Sequence, residues 1–169
     1  VIRHATQTDY TKYGIPRNHP AIVKGKAGSP YAITDYYDIG PDLAVDVDNR
    51  MAEFEQLLSR THSAGMKVII DFVPNHVARQ YHSICKPEGV KDLGEDDNCR
   101  NGFDPQNNFY YCPGCSFSPY FDLYKGEDAP YMENPAKATG NDHFGPGPGV
   151  KEWYETVKLN YGVDYYAGR

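Results

Sequence analysis

The stretch Met66-Lys67-Val68-Ile69-Ile70-Asp71-Phe72-Val73-Pro74-Asn75-His76 decides how this sequence reads. A short apolar run without alternation ends in a carboxylate, a proline, an amide and an imidazole. Strands buried on both faces lose the alternation of apolar and polar residues, which is the habit of parallel sheets. Ligands in such sheets bind beyond the carboxyl ends of the strands. The run therefore predicts a buried parallel strand over Lys67–Phe72 that ends at a functional rim.

Working backwards, residues 48–65 predict an amphipathic helix. Met51, Phe54, Leu57, Leu58 and Thr61 recur at helical spacing, opposite Glu53, Glu55, Gln56 and Arg60. Asp48 is placed to cap its start and Gly65 to end it. Helix, tight turn and apolar strand together form the second half of a βαβ unit. Upstream, 31–41 is an aromatic, extended segment closed by Gly40-Pro41. Residues 1–30, punctuated by glycine and proline, predict a long loop. Downstream, 78–149 has scattered Pro, Gly, Asn and aromatic residues without a period. Trp153, Tyr154 and Val157 suggest a short helix over 150–159.

The composition narrows the function. The chain has 169 residues, net charge -6 and fifteen tyrosines, with a mean hydropathy of -0.68. There is no basic stripe, so nucleic acid is not an expected partner. No apolar run is long enough to span a membrane. Tyrosine offers a flat apolar face with a polar tip, which suits wet, partly apolar ligands such as sugars. Asp71, Asn75 and His76 stand at the rim, where an amide oxygen suits a hard cation and an imidazole suits a hydroxyl.

Asp-x-x-x-Asn-His at the end of an apolar strand resembles the first conserved region of the α-amylase superfamily of glycoside hydrolases. Ser29-Pro30-Tyr31 through Asp35-Tyr36 resembles the family's segment after its second strand. The helix and His62-Ser63-Ala64-Gly65-Met66-Lys67-Val68-Ile69 resemble its second helix and the lead into strand three. The loop-rich stretch after the strand matches the position of the family's domain B. The resemblance implies an α/β chain, an incomplete piece of a (β/α)8 TIM barrel (helix plus parallel strand) with a large irregular insertion. The expected organisation is a partial barrel over 1–77, a domain B-like insertion over 78–158, and a return toward the barrel over 159–169.

Carried over by position, Tyr31 resembles the tyrosine that stacks on the sugar at the cleavage subsite, and His76 the histidine that hydrogen-bonds it. Asp71 resembles a supporting carboxylate that does no chemistry. Asn75 resembles a calcium ligand, with Asn160 as a second. The segment Thr156-Val157-Lys158-Leu159-Asn160 falls where the family has Pro-Asp-Leu-Asn/Asp, but here Val157 and Lys158 replace proline and aspartate. The implied substrate is an α-glucan, starch or a malto-oligosaccharide, acted on by a retaining mechanism. That mechanism needs two carboxyl groups about 5 Å apart, which the family carries on later strands of a barrel of about 250 residues. No Gly-x-Arg-x-Asp segment occurs here, so no nucleophile or general acid is assigned. The expectation is an inactive piece of a larger glycosidase. The alternatives are a non-catalytic carbohydrate- or metal-binding module of the same ancestry, or part of an α-glucosidase or glucanotransferase. Strand 67–72, without neighbours, is expected to promote self-association.

Cys85, Cys99, Cys112 and Cys115 cluster in the irregular region. Disulfide bridges are the first reading, as in small-cored secreted or periplasmic domains. The second is zinc, with Cys112-Pro113-Gly114-Cys115 as one knuckle, and the third is free thiols. Glu95-Asp96-Asp97-Asn98 with Asp104 and Asn107 could hold calcium, against the plainer reading of a solvated acidic turn. Phe109-Tyr110-Tyr111 and Tyr120-Phe121 are expected to be the small core of the excursion, against the alternative that they line a sugar cleft.

Overall fold

The computed structural model of the protein describes residues 1–121 and 128–167. The last two residues of the expected 159–169 return lie outside the described residues. Among the described residues, besides four short 3-10 turns, one α-helix and six short strands occur in the order β1 (Ile2–His4), β2 (Ile33–Ile39), α1 (Arg50–Ser63), β3 (His76–Ala78), β4 (Tyr111–Cys112), β5 (Ala136–Lys137) and β6 (Thr156–Lys158). The strands form three two-stranded antiparallel sheets: β1 with β2, β3 with β6, and β4 with β5. Among the described residues there is no closed barrel and no parallel pairing.

The helix forms close to where the hydrophobic spacing places it, but its capping sits further upstream. Asp46, not Asp48, accepts from the Asp48 N–H and the Asn49 side chain. Glu53 reaches back to the N–H groups of Val45 and Asp46 at 2.9 and 2.7 Å. This reciprocal arrangement satisfies donors that a helix start leaves open. At the other end Gly65, at φ 73°, receives the reversal, with its N–H donating to His62.

Lys67–Phe72 is not a paired strand. It runs extended after the helix, with Ile69 95% exposed and Ile70 and Phe72 also exposed. A parallel strand gets its burial and its hydrogen bonds from lateral neighbours, and none flanks this segment among the described residues. For the same reason α1 buries no residue. Its apolar side, with β2 and residues 68–73, walls a cavity of about 620 Å³ lined by Phe54, Met51, Ile39 and Ile70 among others.

Two other expectations need correction. Residues 1–30 are not a featureless loop: β1 pairs along β2, and Ile15, Ala21, Ile22 and Val23 are buried. Three residues, Ile-Arg-His, carry no periodicity that could announce a strand. Residues 150–159 hold strand β6 rather than a helix, because the β3 ladder recruits Thr156, Val157 and Lys158 opposite Ala78, Val77 and His76.

That ladder is the centre of the packed part. Val77 and Val157 are fully buried and meet Phe109 and Tyr111, with Tyr36, Tyr81, Leu93 and Leu159 around them. The Phe109–Tyr111 run is thus a core, as its composition suggests. A second cluster joins Ile22, Phe117 and Ala136. Between the clusters lies Arg79, whose guanidinium is wholly buried against Glu133. It also donates to the carbonyls of Tyr154, Thr156 and Lys137 and lies over the Phe117 ring. A buried charge is tolerable only when so fully partnered.

Candidate functional site

The motif residues divide between two adjoining places. Two tyrosines hold the strand end. The hydroxyl of Tyr36 donates to the Val73 carbonyl at 2.5 Å, and that of Tyr161 donates to Pro74. Tyr31 and Asp71 line the cavity beside α1 and β2, with the Tyr31 ring 52% exposed. His76, Asn75 and Lys158 form a separate cluster at the start of the β3–β6 ladder.

His76 is buried. Its ring lies 5.2 Å from Trp153, the single tryptophan. The Asn75 amide nitrogen stands 3.1 Å from its Nδ1 and donates to the Gly140 carbonyl at 2.7 Å. Burial, with the Lys158 ammonium nearby, holds the imidazole below its ordinary pKa. Gly140 is required where it stands. A Cβ there would lie 2.6 Å from Thr156 Oγ1 and 2.8 Å from two His76 carbons.

Calcium is the ion the resemblance implies for Asn75 and Asn160, and the residues here do not fit it. The Asn75 Oδ1 faces Lys158 Nζ at 3.5 Å, and the same ammonium lies 2.6 Å from Asp142 Oδ1. Two unit charges 4 Å apart interact by about 4 kcal/mol at an effective dielectric of about 20, so a divalent ion beside this ammonium meets strong repulsion. Asn160 is committed elsewhere. Its Nδ2 donates to Asp104 and Asn107 carbonyls, and its Oδ1 accepts from Gly162. The acidic turn is likewise internally spent. Asp97 accepts from the N–H groups of Asn108 and Phe109 and from the Tyr111 hydroxyl, while Asp96 and Glu95 meet lysines.

All four cysteines are free thiols. The Cys115 thiol donates to the Pro113 carbonyl, and burial with the neighbouring Cys115 thiol pushes Cys112 up to about 11. Cys85 stands apart from them, beside Asp35 and Asp38, and these three form the one grouping of potential metal ligands drawn together among the described residues. That grouping is already neutralised. Asp35 accepts from Arg3, Ser83 Oγ, and the N–H groups of Tyr37 and Ile84. Asp38 takes a two-pronged contact from Arg50 at 2.7 and 2.9 Å, and the Arg3 Nε lies 3.1 Å away. Burial pushes the Asp35 carboxyl up, but the hydrogen bonds from Ser83, Tyr37, Ile84 and Arg3 outweigh it and hold the group below its ordinary pKa. The network fastens 83–85 to the β1–β2 sheet. Arginine and aspartate scattered over 3, 35, 38 and 50 gave no local signal of it, nor did position 153 announce its contact with His76.

Residues 19–108 match the alpha amylase catalytic domain family model, more than half of the chain. The chain belongs to this family. Alpha-amylase 2 of Dictyoglomus thermophilum is 26% identical over 163 residues, 87% of this chain and 27% of that protein. Maltase 1 of Drosophila virilis is 34% identical over 67 residues, 40% of this chain and 10% of that protein. The amino acid transporter heavy chain SLC3A1 of Rattus norvegicus is 37% identical over 51 residues, 30% of this chain and 7% of that protein. The chain spans between 7% and 27% of the length of these relatives. No solved structure matches it.

Proposed function

We propose that the chain is the substrate-contacting corner of an α-amylase-like retaining glycosidase acting on α-glucans, and that it does not cleave them by itself. The observation that carries this reading is the buried His76 with the exposed Trp153 ring packed 5.2 Å from it, beside a cavity that the exposed Tyr31 lines. Aromatic faces take the apolar faces of sugar rings, and an imidazole fixes a hydroxyl by hydrogen bonding. Asp71, on the cavity wall beside Tyr31, supports the site and takes no part in bond cleavage. Among the described residues we assign no pair of carboxyl groups to the two catalytic roles. The organisation that accompanies this reading is a barrel part over 1–77, an insertion over 78–158 and a return from 159 onward.

Trp153 fluorescence tests the proposal directly, because it reports from beside His76. Malto-oligosaccharides should change its intensity, while xylo-oligosaccharides should not. Tyr31→Ala and His76→Ala should abolish the change. An unchanged spectrum with every sugar overturns the reading of the corner, and release of reducing sugar from starch by the pure chain overturns its inactivity.

A second reading is a module that binds without catalysis. The similarity to a protein named as a transporter heavy chain favours keeping it. A fluorescence response to glucans together with a complete open reading frame lacking Gly-x-Arg-x-Asp would select it.

A further inference from the structure

Lys158 stands where the family pattern has an acidic residue, and the structure puts its ammonium to a definite use. The side chain is 9% exposed, although lysine rarely buries its charge without partners. Its main chain is fixed on both sides, paired with His76 across the ladder and donating its N–H to the Ala138 carbonyl at 3.0 Å. The ammonium then meets groups from three other parts of the chain. They are Asp142 Oδ1 at 2.6 Å, Asn75 Oδ1 at 3.5 Å, and the Tyr165 ring with its centroid 5.4 Å away.

The partners are aimed at it. Asp142 is the one described non-glycine residue in the left-handed region, at φ 70°, a conformation that carries some strain outside glycine and persists where the surroundings enforce it. Asn75 gives its amide nitrogen to the Gly140 carbonyl, which turns its oxygen toward Lys158. A carboxylate and an amide oxygen converging on one positive centre, and drawing together residues 75, 142 and 158, is the arrangement by which a hard cation crosslinks loops.

We infer that the Lys158 ammonium is a tethered cation standing in the place of a bound metal ion, so that the corner around Asn75 and His76 is held together without calcium. A dissociable ion stabilises a fold only in proportion to its free concentration. A covalently attached one is always present. It also carries one charge rather than two, in keeping with a single carboxylate facing it.

Thermal melts of the 169-residue protein with a chelator and with millimolar calcium test this. The unmodified protein should melt at the same temperature in both, and a calorimetric titration should show no stoichiometric calcium site. Lys158→Met, which keeps the stem and removes the charge, should melt several degrees lower. Lys158→Asp should become calcium-dependent, losing melting temperature in chelator and regaining it with calcium. The inference is overturned if the unmodified protein loses stability in chelator and recovers it with calcium, or if Lys158→Met melts unchanged. It is also overturned if Lys158→Asp folds and ignores calcium. Should Lys158→Asp fail to fold, the other two proteins still decide. Sugar binding is not read in this experiment, so its failure leaves the proposed function standing.

Discussion

The chain on the two sides of Pro74 is equally apolar in places but differently used. Before it, α1 and residues 67–72 display Met51, Leu57, Ile69, Ile70 and Phe72 to solvent. After it, Val77 and Val157 lie fully buried in a ladder, surrounded by aromatic rings and a partnered arginine. The helix and the short ladders satisfy their backbone groups, while residues 67–72 make no backbone pairing among the described residues. What separates them is the source of side-chain partners. The segment after Pro74 draws them from 77–159 together with Tyr36 and Ile22, while the helix and residues 67–72 leave apolar side chains exposed. Apolar pattern alone therefore tells that a residue is made to be covered, not what covers it.

The contrast can be broken at Arg79. Arg79→Ala removes a buried charge from Glu133 and leaves several carbonyls without a donor, so a loss of about 3–5 kcal/mol is expected, read by urea denaturation; Arg79→Lys should recover only part of it. A smaller effect is expected at the ladder's edge. Gly140→Ala forces a methyl group into Thr156 and His76 and should cost about 1–3 kcal/mol, with a displaced His76 imidazole resonance by NMR.

Acid sharpens the comparison on the β1–β2 side. The Asp35 carboxyl is depressed below its ordinary value of 3.8. Its stabilising contribution is therefore complete above 3.8 and lost as pH falls from there through the folded-state value. Denaturation curves in that window should steepen with acid in the unmodified protein, and the slope should flatten in Asp35→Asn. The smallest stability change belongs to the exposed segment. Ile69→Ser and Phe72→Ser should each stay within about 0.5 kcal/mol of the parent, yet reduce self-association in sedimentation velocity, since an unpaired apolar segment templates pairing between copies. Unchanged association would remove that segment as its cause.

Much of the helix was legible because Met51, Phe54, Leu57 and Leu58 repeat at its own period, and Gly65 marks its end. The family was legible because Asp71, Asn75 and His76 sit at fixed spacing after an apolar run. The pairing of Lys67–Phe72 was read from composition, and composition records a preference for burial without supplying the neighbour. Strands β1 and β6 escaped notice because three residues cannot show a period, and their partners lie tens of positions away. The role of Lys158 was half visible. Its departure from the acidic pattern stands in the sequence, whereas its approach to Asn75 depends on the turn at Gly140 and the conformation of Asp142.

The pairing of β3 with β6 brings the two ends of segment 79–155 side by side. Closing a loop twice as long adds only about 0.6 kcal/mol, so chain closure is a small part of any length change there beside the contacts that Phe109, Tyr111 and Phe117 make. Residues 76–78 and 156–158 thus act as a fixed doorway. Length changes at exposed turns beyond that doorway, away from Phe109, Tyr111 and Gly140, should leave the strand end and its histidine in register.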